Sequence, residues 1–358
     1  MPSQKDVRTN SKVPLVYILG FGHSGSTMLD LALGAMPNTE SIGEIIRLRK
    51  EIDWNHPCTC GISLLDCPYW THVLSLYEAK LEANGIDEGS DDPMEFTKIL
   101  RKGEHQEYFK GVFNGSNISA PQAIVEDYGL RSYLLLQSVQ EVSGSKVIVD
   151  SSKNHRRLIL MWLSGLFDIK VVYLYRDSPE LINSLYRRMK SLFKEIMKHN
   201  KDHELGQEYV KSLELKLNKD AGLKDVSKYI ISISLSFKNK IRSIEYLKRF
   251  GLDAASVHFV NYRDIVEDPQ SSISAICKHV GIEFDNDVID FDSDHYFLKK
   301  MGHNMGGNFM RKKGPKPLVY RPVKDLSTRD KILNTLLGGK KADSSFNRIK
   351  NQHNELKK

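Results

Sequence analysis

The run VPLVYILG-FGHSGS-TMLDLALGA constrains this chain more than any other stretch. Its first part is short and rich in β-branched and aromatic residues, which predicts a buried strand over Pro14–Gly20. Its last part predicts an apolar helix over Met28–Ala35. The intervening Gly20-Phe21-Gly22-His23-Ser24-Gly25-Ser26-Thr27 carries glycines that let the backbone turn and come close to a ligand. Successive N–H groups at such a turn, with a helix N-terminus behind them, form a cradle for an anion.

Three further segments have the composition of buried parallel strands: Lys146–Asp150, Lys170–Tyr175 and Ser256–Tyr262. After the second of these, Ser178-Pro179 opens a helix with Leu181, Leu185, Met189, Leu192 and Ile196 at helical spacing. A long helix carrying Val226, Ile230, Ile233, Phe237, Ile241 and Ile244 precedes the last strand and stops at Gly251, and Asp268-Pro269 opens another that stops at Gly281. Strands alternating with helices predict an α/β fold of the three-layer, P-loop-like kind: a central parallel sheet with helices on both faces and a helical insertion. Ligands of such sheets bind beyond the carboxyl ends of the strands. That rule gathers the loop after Gly20, the Asp150–Lys153 segment, Arg176 and Tyr262 on one rim.

The expected organisation is a flexible N-terminus over residues 1–12 and a single domain over 13–337. Substrate-side insertions are expected at about 40–145 and 186–255, and a polar, basic, frayed tail over 338–358. With 358 residues, 40% of them hydrophobic and 27% charged, the chain is neither collagenous nor wholly disordered. The longest nearly apolar stretch, Leu158–Phe167, is far short of the ~18 residues that cross a bilayer. The polar start followed by VPLVYILG imitates a signal peptide, but His23-Ser24-Gly25-Ser26-Thr27 interrupts it before any cleavage site. A cytoplasmic chain with reduced cysteines is therefore expected. The net charge of +7 fits nucleic acid, acidic lipid or an anionic small molecule equally and does not choose among them.

The loop matches GxGxxG, the dinucleotide fingerprint, but Ser41-Ile42-Gly43-Glu44 reads as a poor second strand for a dinucleotide unit. Gly20 and Gly25 have the spacing of a nucleoside-triphosphate P-loop, yet Ser26 occupies the position of its lysine. The third reading is a P-loop relative that binds a phosphosulfate. The loop resembles the 5′-phosphosulfate-binding loop of sulfotransferases that use 3′-phosphoadenosine 5′-phosphosulfate, where a basic residue precedes S-G-[ST]-T. VVYLYRDSPELINS resembles that family's strand ending in Arg-Asp with a Ser eight residues beyond the Arg, here Arg176 and Ser184. VNYRDIVEDPQSSISAICKHVGI resembles a third family segment and contains Tyr262, and GGNFMRKKG resembles the late basic loop, with Arg311, Lys312 and Lys313. The resemblance runs from about residue 14 to about residue 315, nearest to the bacterial, carbohydrate and tyrosylprotein members.

The resemblance implies transfer of a sulfuryl group from that donor to a hydroxyl or amine of a small-molecule, carbohydrate or lipid acceptor, releasing adenosine 3′,5′-bisphosphate. It assigns Gly22, His23, Ser24, Gly25, Ser26 and Thr27 to the phosphosulfate, and Arg176, Ser184, Arg311 and Lys312 to the 3′-phosphate. Tyr262 would lie near the nucleotide. Glu44, 21 residues beyond His23, has the spacing of the family's Gly-Glu and is the expected base. Lys153 in DSSKN is the expected cation at the leaving phosphate, and His23 contacts the donor with a catalytic part in view. No metal, nucleic acid or membrane span is implied. His23 is a departure, because the family carries Lys or Arg there and imidazole loses its charge near neutral pH. The rivals are a P-loop kinase or NTPase, and a degenerate nucleotide-binding protein.

Each residue has a plainer reading beside this one. Glu44 and Lys153 are ordinary solvated charges near helix starts, Arg176 an ion-pair partner of Asp177 or another acid, and Ser184 a small residue on a packed helix. Tyr262 reads equally as core, and Arg311-Lys312-Lys313 as a solvated run. His56, Cys58, Cys60 and Cys67 form H-x-C-x-C-x6-C. Structural zinc more often uses C-x2-4-C, so buried thiols or a redox-sensitive pair rank above metal. Similar C-x-C-G…C-P-x-W runs in bacterial members of the family imply a shared structural or substrate-side role. Cys277 reads as core.

Overall fold

Strand β1 (Val13–Gly20) is apolar along its whole length because it lies at the centre of a sheet covered on both faces. The computed structural model describes residues 11–86, 94–184, 186–187, 221–290, 297–298, 302–305 and 325–355. Contacts divide the chain into two units, residues 1–174 with 239–320 and residues 175–238 with 321–358.

In the first unit, β1 is followed by α1 (Ser26–Gly34), β2 (Thr39–Gly43), α2 (Leu48–Asp53), α3 (Pro68–Ala83), α4 (Phe96–Ile99), α5 (Gly103–Asn114) and α6 (Gln122–Ser143). Then come β3 (Val147–Asp150), α7 (His155–Ser164) and β4 (Phe167–Tyr175). After the long α8 (Ala221–Lys248), of which residues 221–238 belong to the second unit, follow β5 (Val257–Asn261), α9 (Tyr262–Glu267), α10 (Pro269–Val280) and a two-stranded antiparallel pair, β6 (Ile289–Asp290) with β7 (Phe297–Leu298).

The main sheet has the order β2-β3-β1-β4-β5 and is parallel. Leu15 pairs with Ile148 of β3 on one side and with Ile169 of β4 on the other. Alternate residues of β1 serve the two faces. Val16 and Ile18 pack with Leu29 and Leu33 of α1, Ile265 of α9, and Ile273, Ile276 and Cys277 of α10. Tyr17 points oppositely, its hydroxyl donating to the Asn154 carbonyl at 2.8 Å, and α6 packs with β1 and α7. The expected α/β architecture is present, and Cys277 is core as expected. No helix among the described residues is long and apolar enough to cross a membrane.

The sequence reading needs a correction at residues 39–43, which form a fifth strand. Thr39, Glu40 and Ser41 pair with Val147, Ile148 and Val149 of β3. The strand is polar in sequence because its buried side chains find partners: Thr39 Oγ1 donates to the Leu33 and Met36 carbonyls at 2.7 Å each. β3 separates it from β1, whereas the second strand of a dinucleotide unit lies beside the first.

In the second unit, helical residues 178–184 contribute Ile182 to a cluster with Val226 and Ile230 of α8 and with Leu326. Helices α11 (Thr328–Leu336) and α12 (Gly339–Glu355) complete it. The expected frayed tail is corrected to a helix: Phe346 of α12 is fully buried and stacks on Tyr175 at 4.3 Å between ring centroids. Asp343 fixes it further, accepting from the Tyr175 hydroxyl at 2.7 Å and the Ser178 hydroxyl at 2.6 Å.

Candidate active site

The anion loop ends at Gly25, which sits in the left-handed region at φ 93° and caps α1. A Cβ there would stand 2.3 Å from the Tyr262 ring, so both torsion and space demand glycine. Tyr262, the first residue of α9, is thereby placed against the loop. His23 also takes a positive φ, 68°, which costs a non-glycine residue energy. Ser24 is buried and turned inward, its N–H and hydroxyl both bonding the Phe21 carbonyl at 3.3 and 2.7 Å. No side chain caps α1 and its first turn holds no acid, so no carboxylate there offsets the positive end of the helix.

The carboxylate and the cation reach the loop from β2 and β3. Gly43, at φ 68°, ends β2, and a Cβ there would lie 2.0 Å from the Met305 carbonyl. The next N–H, that of Glu44, donates to the same carbonyl at 3.1 Å. Beyond β3, Ser151 N–H donates to the Gly43 carbonyl at 2.9 Å and Ser152 Oγ accepts from Ile46 N–H at 3.2 Å. These two bonds staple the segment before Lys153 to the segment around Glu44. Lys153 Nζ then donates to Ser26 Oγ at 3.1 Å and to Glu44 Oε1 at 2.6 Å. The side chains of Lys153 and Glu44 are only 13% and 16% exposed, so solvent screens this pair weakly.

A buried network anchors the lysine from below. Arg157 Nε donates to Asp150 Oδ2 at 3.0 Å, and its NH1 to Tyr128 OH at 3.1 Å and Ser132 Oγ at 3.0 Å. Asp150 Oδ1 accepts from Ser152 N–H at 2.7 Å, and Asn154 caps α7. Both members of the Asp150–Arg157 pair have fully buried side chains. Lys240 on α8 is buried in the same unit; burial, then the charge of Lys153, pushes its ammonium down to about 7. Burial holds His155 well below the usual imidazole range, with the charges of Lys240 and Arg156 acting in the same direction.

The sequence reading missed Asp30, Asn304 and Lys240. Asp30, on α1, is buried and accepts from Asn304 Nδ2 at 2.8 Å; burial raises its carboxyl to about 7. An acid inside the apolar run LDLAL was the available signal. Lys240 was signalled by its place on the apolar stripe of α8, in helical register with Ile233, Phe237 and Ile244, whereas Asn304 stands in no pattern that marks it.

Of the expected site residues, Gly25, Ser26, Glu44, Lys153 and Tyr262 come together, with Gly22 exposed and His23 half-buried in the same loop. In the second unit Arg176 Nε donates to Glu180 Oε2 at 3.0 Å, so its acidic neighbour is one helical turn on. Ser184 is half-buried on the helical residues 178–184. Arg311, Lys312 and Lys313 lie outside the described residues. His56 is not grouped with the cysteines; its Nδ1 lies 2.9 Å from Glu51 Oε2.

The chain belongs to the sulfotransferase family: a family model described as "Sulfotransferase family" matches residues 14–286, about three quarters of the chain. No curated protein matches the sequence. Among solved structures, the sulfotransferase domain of the Synechococcus PCC 7002 olefin synthase is 15% identical, with 92% of this chain and 96% of that one covered at a TM-score of 0.39. The sulfotransferase domain from the curacin biosynthetic pathway is 17% identical, with 92% and 99% covered at 0.40. Sulfotransferase STF9 from Mycobacterium avium is 13% identical, with 79% and 67% covered at 0.40.

Proposed function

We propose that this chain transfers a sulfuryl group from 3′-phosphoadenosine 5′-phosphosulfate to a hydroxyl or amine of a small-molecule, carbohydrate or lipid acceptor. The observation that carries the reading is Lys153, whose ammonium bonds both Ser26 of the anion loop and the Glu44 carboxylate. Sulfuryl transfer is an in-line displacement in which the protein positions the partners and neutralises charge, and these are the parts it needs.

In this reading the uncapped start of α1 and the loop Gly22–Thr27 receive the phosphosulfate. Ser24 contributes by shaping the loop, since its hydroxyl is bonded inward. Lys153 turns from Glu44 to the oxygen bridging sulfur and phosphorus, which leaves the carboxylate with Arg47, 3.8 Å away, as its remaining charged neighbour. Glu44 takes the acceptor's proton as the new O–S or N–S bond forms, and the bridging S–O bond breaks with its electron pair going to the leaving phosphate. Adenosine 3′,5′-bisphosphate and the sulfated acceptor leave. Arg176 exchanges Glu180 for the 3′-phosphate, an anion its planar fork fits well, with Ser184, Arg311 and Lys312 as further partners. Tyr262 lies near the nucleotide, and His23 touches the donor and supports the transition state only while protonated. The residues named need no metal for this chemistry.

Thermal unfolding tests the reading, with adenosine 3′,5′-bisphosphate beside adenosine 5′-phosphate, ATP with Mg²⁺ and NAD. Saturation at 100 Kd stabilises by ~2.7 kcal/mol. A shift with the 3′,5′-bisphosphate alone, lost in Arg176→Ala, supports the donor. A shift only with ATP and Mg²⁺ overturns it in favour of a kinase-like enzyme, and donor binding without transfer to any acceptor supports a degenerate binding protein.

A further inference from the structure

Three cysteines and a histidine converge at a second place in the first unit. The ligand atoms of Cys58, Cys60, Cys67 and His303 all lie within 4.8 Å of one another. Cys60 Sγ is 3.6 Å from Cys67 Sγ, and His303 Nδ1 is 3.3 Å from Cys67 Sγ and 3.7 Å from Cys58 Sγ. Zinc bonds of about 2.3 Å to sulfur and about 2.1 Å to nitrogen, set at tetrahedral angles, give edges of about 3.8 Å (S···S) and about 3.6 Å (S···N). Three of the cluster's six edges already have about these lengths, and the others lie within 4.8 Å. A disulfide needs an S–S distance of about 2.05 Å and involves two sulfurs; it gives no reason for a third thiol and an imidazole to converge there.

We propose that Cys58, Cys60, Cys67 and His303 bind one structural zinc ion. Three thiolates and one imidazole fill all four positions, so the site is closed and has no place for substrate. Binding replaces three thiol protons, which pass to solvent. The surroundings are built for this. Residues 57–63 form a tight turn, with Cys58 N–H donating to the Ile62 carbonyl at 2.8 Å and Gly61 N–H to the Cys58 carbonyl at 3.0 Å. Cys67 is the N-cap residue of α3, at the positive end of the helix dipole.

The fourth ligand is held as firmly as the other three. The His303 ring stacks on Tyr69 at 4.5 Å and 7° between planes, and its carbonyl accepts from Trp70 Nε1 at 2.8 Å. Thr59 Oγ1 donates to the Gly302 carbonyl and accepts from Asn304 N–H at 2.8 Å. Partners of this kind fix ligand orientation in metal sites. The ion would lock residues 302–305 to the 58–67 turn, and that segment supplies the Met305 carbonyl that receives Glu44 N–H. The proposal stands whether or not the chain transfers sulfuryl groups.

The test is elemental analysis of the full chain purified without chelators, beside thiol titration. One zinc per chain is expected in the native protein and in Cys277→Ser, with loss to background in Cys60→Ser, whose thiol is the exposed one, and in His303→Ala. Should those variants misfold, native protein stripped of metal under reducing conditions is titrated with Co²⁺; tetrahedral thiolate absorption bands, abolished by added Zn²⁺, support the site. A folded protein with four titratable thiols that takes up neither metal overturns it. So does a mass lower by two hydrogens that maps to a Cys60–Cys67 disulfide.

Discussion

Lys153 Nζ stands 2.6 Å from Glu44 Oε1 and 3.1 Å from Ser26 Oγ, so one ammonium reaches both a carboxylate and the anion loop. If that lysine neutralises the leaving phosphate, Lys153→Ala lowers kcat by ~10²–10³-fold with a smaller change in donor affinity. If Glu44 is the base, as proposed, Glu44→Gln lowers kcat by ~10²–10⁴-fold. Because the two side chains touch, the double variant loses less than the product of the single losses. Rapid-quench transfer assays measure this, and a Glu44→Gln enzyme with the native rate would remove Glu44 from the chemistry.

Gly25 and Tyr262 test the loop. Gly25→Ala places a methyl 2.3 Å from the Tyr262 ring and forces an L-residue to φ 93°, a torsion that alone costs ~1–3 kcal/mol. In Tyr262→Ala the contact is gone and only the torsional part remains. Urea unfolding of the four proteins should therefore show a smaller Gly25→Ala loss in the Tyr262→Ala background. Equal losses in both would mean that the ring yields freely and does not pack the loop.

The four strands buried on both faces were legible because their residues are nearly all apolar. Thr39–Gly43 was not, since its polar side chains are paired in ways that only the fold reveals. β4 begins at Phe167, three residues before the expected Lys170, because its first residues alternate in burial as an exposed end does. Helix α12 hid because its inward stripe is sparse: Ala342, Phe346 and His353 among mostly polar neighbours. At the site, Glu44 came from the resemblance, and Lys153 from its place just beyond a strand end on the sheet's carboxyl rim. His303 could not be read at all, since it lies 236 residues from the cysteine it meets.

Asp150 and Arg157 form the buried pair beneath Lys153, and removing one partner leaves the other charge uncompensated. Arg157→Met should destabilise by ~3–5 kcal/mol in urea, and adding Asp150→Asn should restore much of that loss. Transfer should not recover in parallel, because Asp150 Oδ1 also holds Ser152 N–H at 2.7 Å, which sets the backbone before Lys153. Restored stability with fully restored kcat would show that the pair serves the fold alone.

Asp30 gives stability a pH dependence of defined sign. Its carboxyl is raised to about 7, first by burial, so between the ordinary carboxylate range and that value the folded state holds a proton that the unfolded state has released. Stability is therefore full below the unfolded pKa and falls as pH rises through this window, by an amount bounded at ~4 kcal/mol from ~1.4 kcal/mol per unit. Asp30→Asn keeps a carbonyl to accept from Asn304 Nδ2 and replaces the acid's O–H with N–H, so it imitates the protonated form at every pH. The variant and the native protein should unfold alike near pH 4, and at pH 8 the variant should be more stable by ~1–4 kcal/mol. A variant less stable than the native protein at pH 8 would mean that the fold uses the ionised carboxylate, and that Asn304 and Ser41 offset its burial in full.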